Sequence, residues 1–338
     1  MFNKQYDIIC IGDVTSDAFI RLKDARINCK INNHDCELCL RFGDKVPFEY
    51  VKVVKGVGNA ANASVASARM GLHTALISNV GDDENGRDCR MELEKNKIDI
   101  SYVKVNKNKS TNYHFVLWYD VDRTILVNHV DYDYRLPEFR APKWLYLTSI
   151  GNNPTSYYKE ILDYLNTNPK VKLAFQPGSQ QIKLGYHELQ AFYKKTEVLV
   201  VNLEEAEKIL INIKLVGPNF KNDPKSMLKY FSKLGPKLII ITDGPKGAYM
   251  FDGEHYYLMP IYPDPRPPLE RTGCGDAWAS TFVAALALGK TPLEALMLAP
   301  INPMSVAQYV GAQQGLLKLD QMKWWLEKAP IDYRPTEV

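Results

Sequence analysis

The residues best suited to chemistry lie in the stretch Arg271-Thr-Gly-Cys-Gly-Asp276, which leads into a small-residue, apolar run. Glycines let backbone N–H groups approach a ligand, and a helix start carries partial positive charge. The backbone around Gly273–Gly275 is therefore suited to an anion. A carboxylate would repel that anion, so Asp276 is better suited to take a proton from the hydroxyl of a second reactant. The pattern is typical of phosphoryl transfer to an alcohol, although Thr272 or Asp276 capping an ordinary helix would give the same spacing.

Other polar residues follow apolar runs that read as buried strands. Asp17 comes shortly after Asp7-Ile-Ile-Cys-Ile11, at the edge of a parallel sheet where ligands bind. It is a candidate partner for substrate hydroxyls, or a solvated loop aspartate. Asn202-Leu-Glu-Glu205 follows a run of valines, so Glu205 or Glu204 is a candidate for orienting a magnesium-bound water. The alternative is that Asn202 caps a helix whose acidic first turn suits the helix dipole.

Two glycine turns admit more than one interpretation. Thr242-Asp-Gly-Pro-Lys-Gly247 follows an apolar run and reads as a tight turn or a simple hairpin. Gly56-x-Gly58-x-x-Ala61 has the spacing of a dinucleotide-binding turn, which would suit a nicotinamide-dependent oxidoreductase. Against this, the next apolar run ends in Ser78-Asn79, not in the acidic residue that would hold a ribose.

The order of elements predicts a mixed α/β protein. From Trp144 onward, apolar strand patterns alternate with helical ones, which predicts a parallel sheet covered on both faces. The segments at about 18–55 and 102–130 read instead as β-strands and predict a small antiparallel lid inserted into the sheet. No internal repeat is visible.

Composition narrows the range of partners and environments. The chain has 338 residues, 46% of them apolar and 24% charged, as in ordinary globular proteins. A net charge of +3 without a basic block argues against nucleic acid as the main partner. No apolar run approaches membrane-spanning length and the start does not read as a signal sequence, so we expect a cytoplasmic protein with six reduced cysteines.

A group of cysteines and a histidine in the first lid segment is a candidate zinc site. Cys36-x-x-Cys39 lies just after Cys29 and His34, and these are ligand types that Zn²⁺ prefers. The spacing matches no standard zinc finger, and there is a single CxxC pair. Free thiols in a polar loop are the alternative.

Taken together and in order, these motifs resemble the PfkB family of carbohydrate and nucleoside kinases, which have the ribokinase-like fold. Gly58-Asn-Ala-Ala-Asn62 through Gly81-Asp-Asp-Glu-Asn-Gly86 is similar to the first family signature, and Arg271–Trp278 matches the second. Asn202-x-x-Glu205, Thr242-x-Gly244-x-x-Gly247 and Gly311-Ala312 also stand where family members have them.

The resemblance implies a single domain over residues 1–338, with a three-layer α/β/α arrangement and a β-sheet lid that often pairs with a second lid in a dimer. It implies transfer of a phosphoryl group from ATP, with Mg²⁺, to a sugar, sugar phosphate or nucleoside. The implied roles are as follows: Asp276 as base; N–H groups of Gly273, Cys274 and Gly275 as anion hole; Asp17, Gly58, Asn59 and Asn62 for the acceptor; Asn202, Thr242, Gly244, Gly247 and Asn302 for the nucleotide; and Glu205 for Mg²⁺ through water.

Some features leave the acceptor and the ions open. Glu270-Arg271 replaces the Asp-Thr that usually precedes the second motif, where the family has a monovalent-cation site. Lys55 and Arg271 are candidates for binding a substrate phosphate, or are solvated rim charges. Aromatic residues of the lid, Trp118 among them, are candidates for stacking on a nucleobase or for packing within the lid. A binding protein without catalytic activity on the same fold is a further alternative.

Overall fold

The computed structural model describes residues 5–29, 36–151, 155–217 and 223–338. Within these ranges the strands are β1 (Ile8–Ile11), β2 (Thr15–Leu22), β3 (Arg26–Asn28), β4 (Glu37–Cys39), β5 (Phe48–Val57), β6 (Thr74–Gly81), β7 (Val103–Asn106), β8 (Asn112–Tyr119), β9 (Asp122–Leu126), β10 (Trp144–Leu147), β11 (Lys172–Phe175), β12 (Thr196–Asn202), β13 (Leu238–Thr242), β14 (Ala248–Phe251), β15 (Tyr256–Met259) and β16 (Thr336–Glu337). The helices are α1 (Asn59–Arg69), α2 (Glu84–Lys95), α3 (Thr155–Thr167), α4 (Ser179–Leu184), α5 (Tyr186–Lys195), α6 (Leu203–Asn212), α7 (Pro224–Ser232), α8 (Cys274–Ala287), α9 (Pro292–Leu298), α10 (Ile301–Val306) and α11 (Leu319–Glu327).

A large sheet runs through the centre of the protein in the order β16-β15-β14-β13-β12-β11-β10-β1-β6-β7. The strands from β13 to β7 in this order are parallel, and β14, β15 and β16 add antiparallel pairs at one edge. Strands such as β1 and β13 are runs of Ile, Leu and Cys because both faces of a parallel sheet are buried. The predicted parallel sheet is confirmed.

Helices cover both faces of this sheet. Successive side chains of β1 point to opposite sides, so that Ile8 and Cys10 belong to one buried cluster and Ile9 and Ile11 to the other. The first cluster also takes residues from α1, α2 and α8 to α11, and the second takes residues from α3 to α7. The predicted three-layer α/β/α arrangement is therefore confirmed.

A separate four-stranded sheet, ordered β5-β2-β8-β9, forms the lid. Strand β2 is antiparallel to β5 and parallel to β8, and β8 is antiparallel to β9. The lid is therefore a mixed sheet, which corrects the expectation of an antiparallel one. Its inner face carries Phe19, Val116 and Trp118, which are buried with Val310 of the main body. This contact fixes the lid beside the carboxyl ends of the central strands.

One predicted lid segment belongs elsewhere. The start of the segment at about 102–130, predicted as lid, forms β7, which pairs in parallel with β6 at the edge of the central sheet. Its pattern is Val-Lys-Val-Asn with exposed residues in the middle, and such alternation suits an edge strand as well as a lid strand. Local sequence therefore could not assign it. Among the described residues, no helix is both long and apolar enough to cross a membrane.

The cysteines of the first lid segment are arranged differently from both interpretations given above. Cys29 and Cys36 form a disulfide, which corrects the expectation that all six cysteines are reduced thiols. A zinc site needs free thiolates, so this pair cannot serve as ligands while it is bonded. Among the described residues, no group of three or more His, Cys, Asp or Glu is placed to hold a metal, and His34 lies outside them.

The disulfide makes a direct prediction for thiol chemistry. Protein purified without reductant and unfolded in guanidinium should show four reactive thiols, from Cys10, Cys39, Cys89 and Cys274. The same protein treated first with reductant should show all six. Titration with a chromogenic disulfide measures both counts. Six thiols without reductant would contradict the Cys29–Cys36 pairing.

Candidate active site

Two adjoining cavities lie at the carboxyl ends of the parallel strands, where open α/β sheets place their ligands. The first, of about 490 Å³, is lined largely by polar groups, among them Asp17, Asn59, Gln176 and Asp276. The second, of about 300 Å³, is lined mainly by apolar side chains and prolines. Thr242, Arg271 and Gly275 line both cavities. This junction is the point where groups bound in the two cavities would meet.

Asp276 lies in the first turn of α8 and is 9% exposed. Its carboxylate accepts three amide hydrogen bonds: from Asn59 Nδ2 at 2.8 Å, from Asn62 Nδ2 at 2.8 Å and from Gln176 Nε2 at 3.1 Å. Burial raises the pKa of Asp276, and these donors offset only part of the rise. The structure therefore holds a carboxylate of increased basicity at a fixed place in the polar cavity.

The start of α8 presents free backbone donors next to Asp276. The N–H of Cys274 donates to the Arg271 carbonyl at 3.3 Å, whereas the N–H groups of Gly273, Gly275 and Asp276 have no backbone acceptor within the described chain. Orphan donors at a helix start favour an anion. Of the three N–H groups predicted as the anion hole, that of Cys274 is thus partly engaged in a hydrogen bond. The N–H of Asp276 is an additional free donor.

Glu270 fixes the geometry of this helix start. Its carboxylate is completely buried and accepts hydrogen bonds from the Thr272 N–H at 2.6 Å and the Thr272 hydroxyl at 2.5 Å. Its second oxygen accepts a longer one from the Gly311 N–H, at 3.4 Å. Glu270, which stands where the resembling family usually has an aspartate, therefore links the Arg271–Asp276 motif to the Gly311-Ala312 segment.

The far end of the polar cavity holds a cluster of carboxylates and imidazoles. Asp17 Oδ1 lies 3.3 Å from His114 Nδ1, and the rings of His114 and His129 pack edge to face with centroids 5.6 Å apart. Asp17 Oδ1, His114 Nε2 and His129 Nδ1 are buried without a hydrogen-bond partner in the described structure. Buried polar atoms that the protein itself leaves without partners are rare and suit hydrogen bonds to a bound molecule.

Asp13 lies next to this cluster, close to His129. Its carboxylate accepts hydrogen bonds from the Tyr134 hydroxyl at 2.8 Å and from the Gly151 N–H at 2.6 Å, and lies 3.8 Å from His129 Nδ1. Burial raises the pKa of Asp13 to about 6 despite these donors. Burial also lowers the pKa of His129, with a smaller contribution from His114. Sequence reasoning missed both histidines, because His114 reaches Asp17 only through the pairing of β2 with β8 and His129 follows β9, the next strand of the lid.

The turn from β5 into α1 brings the predicted acceptor residues together. Gly58 has a φ of 107°, and a Cβ there would stand 2.6 Å from the Asp13 carbonyl oxygen. Asn59 and Asn62 follow on the first turn of α1 and reach Asp276. Because β5 belongs to the lid sheet and pairs there with the antiparallel β2, this turn is not part of a parallel βαβ unit. The dinucleotide-binding interpretation of Gly56-x-Gly58-x-x-Ala61 therefore fails on topology.

The predicted nucleotide residues divide between the cavities. Gly244 and Gly247 line the apolar cavity in a turn that joins β13 to the antiparallel β14, so the turn is a hairpin as well as a cavity wall. Asn302 is completely buried, and its amide bonds the Thr281 hydroxyl and the Leu317 N–H. It is not among the residues that line the apolar cavity, whereas its neighbours Pro303 and Met304 are.

Asn202 and Glu205 form a capping box at the start of α6. Asn202 Oδ1 accepts from the Glu205 N–H at 2.8 Å, and Glu205 Oε2 accepts from the Asn202 N–H at 2.9 Å. The helix-capping alternative is thus correct, yet both residues also line the polar cavity. Burial raises the pKa of Glu205, and the negative charge of Asp276 raises it further. Mg²⁺ is usually held by one or two carboxylates and keeps several waters. Glu205 Oε1, which accepts no hydrogen bond from the residues that the structure describes, fits such a site.

Other candidates prove to be occupied. Lys55 pairs with Asp88 and does not line the polar cavity. Trp118 is 1% exposed and packs within the lid and against Val310, so the lid-packing alternative is correct for it. Arg271, in contrast, lines both cavities. The polar cavity is also lined by Arg123, a lid arginine that sequence reasoning missed.

Comparison with known proteins agrees with this architecture. The chain is 25% identical to the ATP-dependent 6-phosphofructokinase of Thermoanaerobacterium thermosaccharolyticum, over 95% of this chain and 94% of the relative. It is 25% identical to the ribokinase of Bacillus subtilis, over 77% of this chain and 83% of the relative. The crystal structure of the Methanocaldococcus jannaschii nucleoside kinase, a member of the ribokinase family, superposes with a TM-score of 0.76 at 16% identity, covering 96% of this chain and all of that one.

The family comparison covers the segments around which the site is built. Residues 30–318 match the family described as "pfkB family carbohydrate kinase". This range holds the Gly58–Asn62 turn, the capping box of α6 and the Gly273–Asp276 helix start. The chain belongs to the pfkB family of carbohydrate kinases.

Proposed function

We propose that this protein transfers the γ-phosphoryl group of ATP to a hydroxyl of a small sugar-type acceptor, with Asp276 as the general base. Membership of the pfkB family implies ATP-dependent phosphoryl transfer and the use of Mg²⁺. The observation that carries the finer proposal is the position of Asp276, which is buried beside the unpaired N–H groups of Gly273 and Gly275 where the two cavities meet. A base and an anion site side by side are what in-line transfer to an alcohol needs.

The two cavities suit the two substrates. The proline-lined, apolar cavity is suited to a nucleobase, and Thr242, Gly244 and Gly247 are suited to the nucleotide along its edge. The polar cavity offers Asp17, Asn59 and the unpartnered imidazole nitrogens to a molecule with several hydroxyls. An acceptor held there would present one hydroxyl to Asp276, with its oxygen directed at the phosphoryl group over the helix start.

The residues of this chain then have separate roles in the reaction. Asp276 takes the hydroxyl proton, and Asn59, Asn62 and Gln176 keep its carboxylate oriented. The free N–H groups at the start of α8 stabilise the charge on the transferred group, with about 3 kcal/mol for each well-placed donor. Glu205 would hold Mg²⁺ through water, and Mg²⁺ supplies neutralisation of the phosphate oxygens.

The test is an acceptor panel. ADP release from ATP and Mg²⁺ is followed with pentoses, hexoses, their phosphates and nucleosides, with an acceptor-free reaction as background. The proposal predicts turnover well above that background with one acceptor class. ATP binding by calorimetry without turnover on any acceptor would favour a non-catalytic binding protein on this fold instead.

We also propose that a second copy of the chain covers the outer face of the lid. Paired residues of adjacent strands point the same way, so Ile20, Val51, Val53, Phe115 and Leu126 share this face. Four of them are between 43% and 51% exposed. A contiguous apolar sheet face of this kind usually marks an interface. Because the face is the same in both copies, a symmetric lid-to-lid homodimer would bury it.

The dimer prediction can be checked with one charge substitution. Val53→Lys would place a charge in the centre of the face, and we expect it to give a monomer where the unsubstituted protein is a dimer. Met91→Lys is the matched control, because Met91 is as exposed but lies on α2, outside the lid. Light scattering coupled to size exclusion measures both masses. An unsubstituted protein that is monomeric at micromolar concentration would contradict the proposal.

A further inference from the structure

Two arginines from different parts of the fold meet at the junction of the cavities. Arg123 stands on β9 of the lid, and Arg271 precedes α8 on the main body. Both line the polar cavity, and Arg271 also lines the apolar one. The hairpin between β8 and β9 is what carries Arg123 across from the lid. The two side chains therefore face one space from opposite sides.

The electrostatics of the neighbouring groups show that both guanidinium groups act on the same region. The pKa of Asp122 is lowered: burial raises it, but hydrogen bonds from Arg123 and the charges of Arg123 and Arg271 outweigh that effect. Burial raises the pKa of the Cys274 thiol to about 12, and Arg123 and Arg271 again both oppose the rise. Each arginine thus reaches both the lid hairpin and the helix start.

The protein neutralises the positive charge at this junction only in part. Arg123 Nη1 donates to Asp122 Oδ1 at 2.8 Å, which uses one of its five N–H donors. Within the described chain, the Arg271 side chain donates no hydrogen bond and has no carboxylate at ion-pair distance. Asp264 also lines the apolar cavity, and the charge of Arg271 opposes the rise that burial causes in the pKa of the Asp264 carboxyl. The guanidinium donors that remain free favour an added anion.

We propose that Arg123 and Arg271 bind one phosphate group between them, so that closing of the lid is coupled to the presence of that phosphate. Planar guanidinium groups match phosphate oxygens in pairs, and both arginines line the polar cavity. This inference rests on the proposed function, because it places the phosphate beside the anion site of the transfer. The same chemistry has two sources: the terminal phosphate of the nucleotide, or a phosphate ester carried by the acceptor.

Calorimetric binding to three probes separates these sources. The probes are ADP, the non-hydrolysable β,γ-imido analogue of ATP, and fructose 6-phosphate, each with Mg²⁺. If the arginines bind the terminal phosphate of the nucleotide, Arg123→Met should lower the affinity for the imido analogue by about 10- to 100-fold, which corresponds to a charged hydrogen bond. The affinity for ADP should not change. If the arginines bind a phosphate carried by the acceptor, the affinity for fructose 6-phosphate should fall by the same factor, and the affinity for the imido analogue should not change.

The second arginine provides the test of a shared phosphate. Arg271→Met should lower the affinity for the same probe as Arg123→Met. The loss of affinity in the double variant should be smaller than the product of the two single factors, because both arginines contact one phosphate group. Arg123→Lys, which keeps the charge but not the paired geometry, should lose less than Arg123→Met. Arg135→Met is the control, since Arg135 pairs with Glu160 outside both cavities.

The outcomes decide the proposal without any need for turnover. Loss of affinity for the same phosphate-bearing probe in both variants supports it. It is overturned if neither variant weakens either phosphate-bearing probe beyond the Arg135→Met control, or if the two variants weaken different probes. Failure of the proposed function would show separately, as an absence of acceptor-dependent ADP release in the unsubstituted protein.

Discussion

Asp276→Asn should reduce kcat by about 10²- to 10⁴-fold, the usual contribution of a general base. The replacement keeps the shape of the side chain but removes the lone pair that accepts the hydroxyl proton. Burial raises the pKa of the natural carboxyl, so its conjugate base is stronger than an ordinary aspartate. Steady-state ADP release with the acceptor identified by the panel measures the loss.

The control for this prediction has to separate catalysis from folding. An amide at position 276 would turn its NH₂ group towards one of the donors Asn59, Asn62 or Gln176, at a cost of about 1–3 kcal/mol of stability. Thermal unfolding should therefore show a lower but cooperative transition. Asp17→Asn is the matched variant, because we expect it to raise the KM for the acceptor more than it lowers kcat. A folded Asp276→Asn protein with kcat within tenfold of the original would contradict the assignment.

Gly273→Ala should damage both stability and activity. Gly273 has a φ of 84°, a left-handed conformation that costs an alanine about 1–2 kcal/mol. An added Cβ would also meet the Cβ and the Cα of Ala312 well inside van der Waals contact. Relief requires movement of backbone, which we expect to cost a further 1–3 kcal/mol or so. The same movement displaces the N–H donors at the start of α8, so kcat should fall by about 10²- to 10³-fold.

Gly289→Ala isolates the contribution of the clash. Gly289 has a nearly equal φ of 86°, but a Cβ there would meet nothing within 4 Å. The Gly289→Ala protein should lose only the stability that corresponds to placing an alanine in the left-handed conformation, and it should keep full activity. Chemical denaturation of the two variants, with ADP release beside it, measures the difference. Equal stability losses in the two variants, or an active Gly273→Ala protein, would contradict the close packing of the helix start on Ala312.

Much of this site could be predicted because its chemistry is local in sequence. The glycine turn before α8, the polar residues at the ends of β12 and β13, and the Gly58–Asn62 turn each lie next to an apolar strand or helix pattern. Since the carboxyl ends of parallel strands converge at one edge, the polar residues of β12 and β13 are expected to meet there. The Gly58–Asn62 turn follows a lid strand instead, so Asp276 and Asn62 are linked by the family resemblance and not by strand order.

What could not be predicted depends on pairing between distant segments. His114 reaches Asp17 only because β8 pairs in parallel with β2, and no local pattern specifies that register. His129, beyond the end of β9, packs against His114 through the same long-range arrangement. Gln176 reaches Asp276 for the same kind of reason, from the end of β11. Arg123 lies near the start of β9, beside a polar hairpin turn, and nothing in the local sequence indicates that it lines a cavity. Asn302 was placed at the nucleotide on resemblance alone, and its burial against Thr281 and Leu317 could not be inferred from composition.

The first lid segment illustrates a different limit. Four potential ligands within a short segment suggest a metal as readily as a disulfide, because both need cysteines close together. Which one forms depends on the spatial approach of Cys29 to Cys36, at the end of the β3–β4 hairpin. Cysteine spacing alone does not contain that distance.

The most direct test of the account follows the phosphorus atom itself. Phosphorus-31 NMR is recorded on the protein with ATP, Mg²⁺ and the acceptor from the panel, beside Asp276→Asn and an acceptor-free sample. The account predicts a new phosphomonoester signal that grows as fast as ADP appears, with little inorganic phosphate, and that is nearly absent with Asp276→Asn. Growth of inorganic phosphate in place of the ester, or an ester signal that Asp276→Asn leaves unchanged, would contradict transfer to an acceptor hydroxyl activated by Asp276.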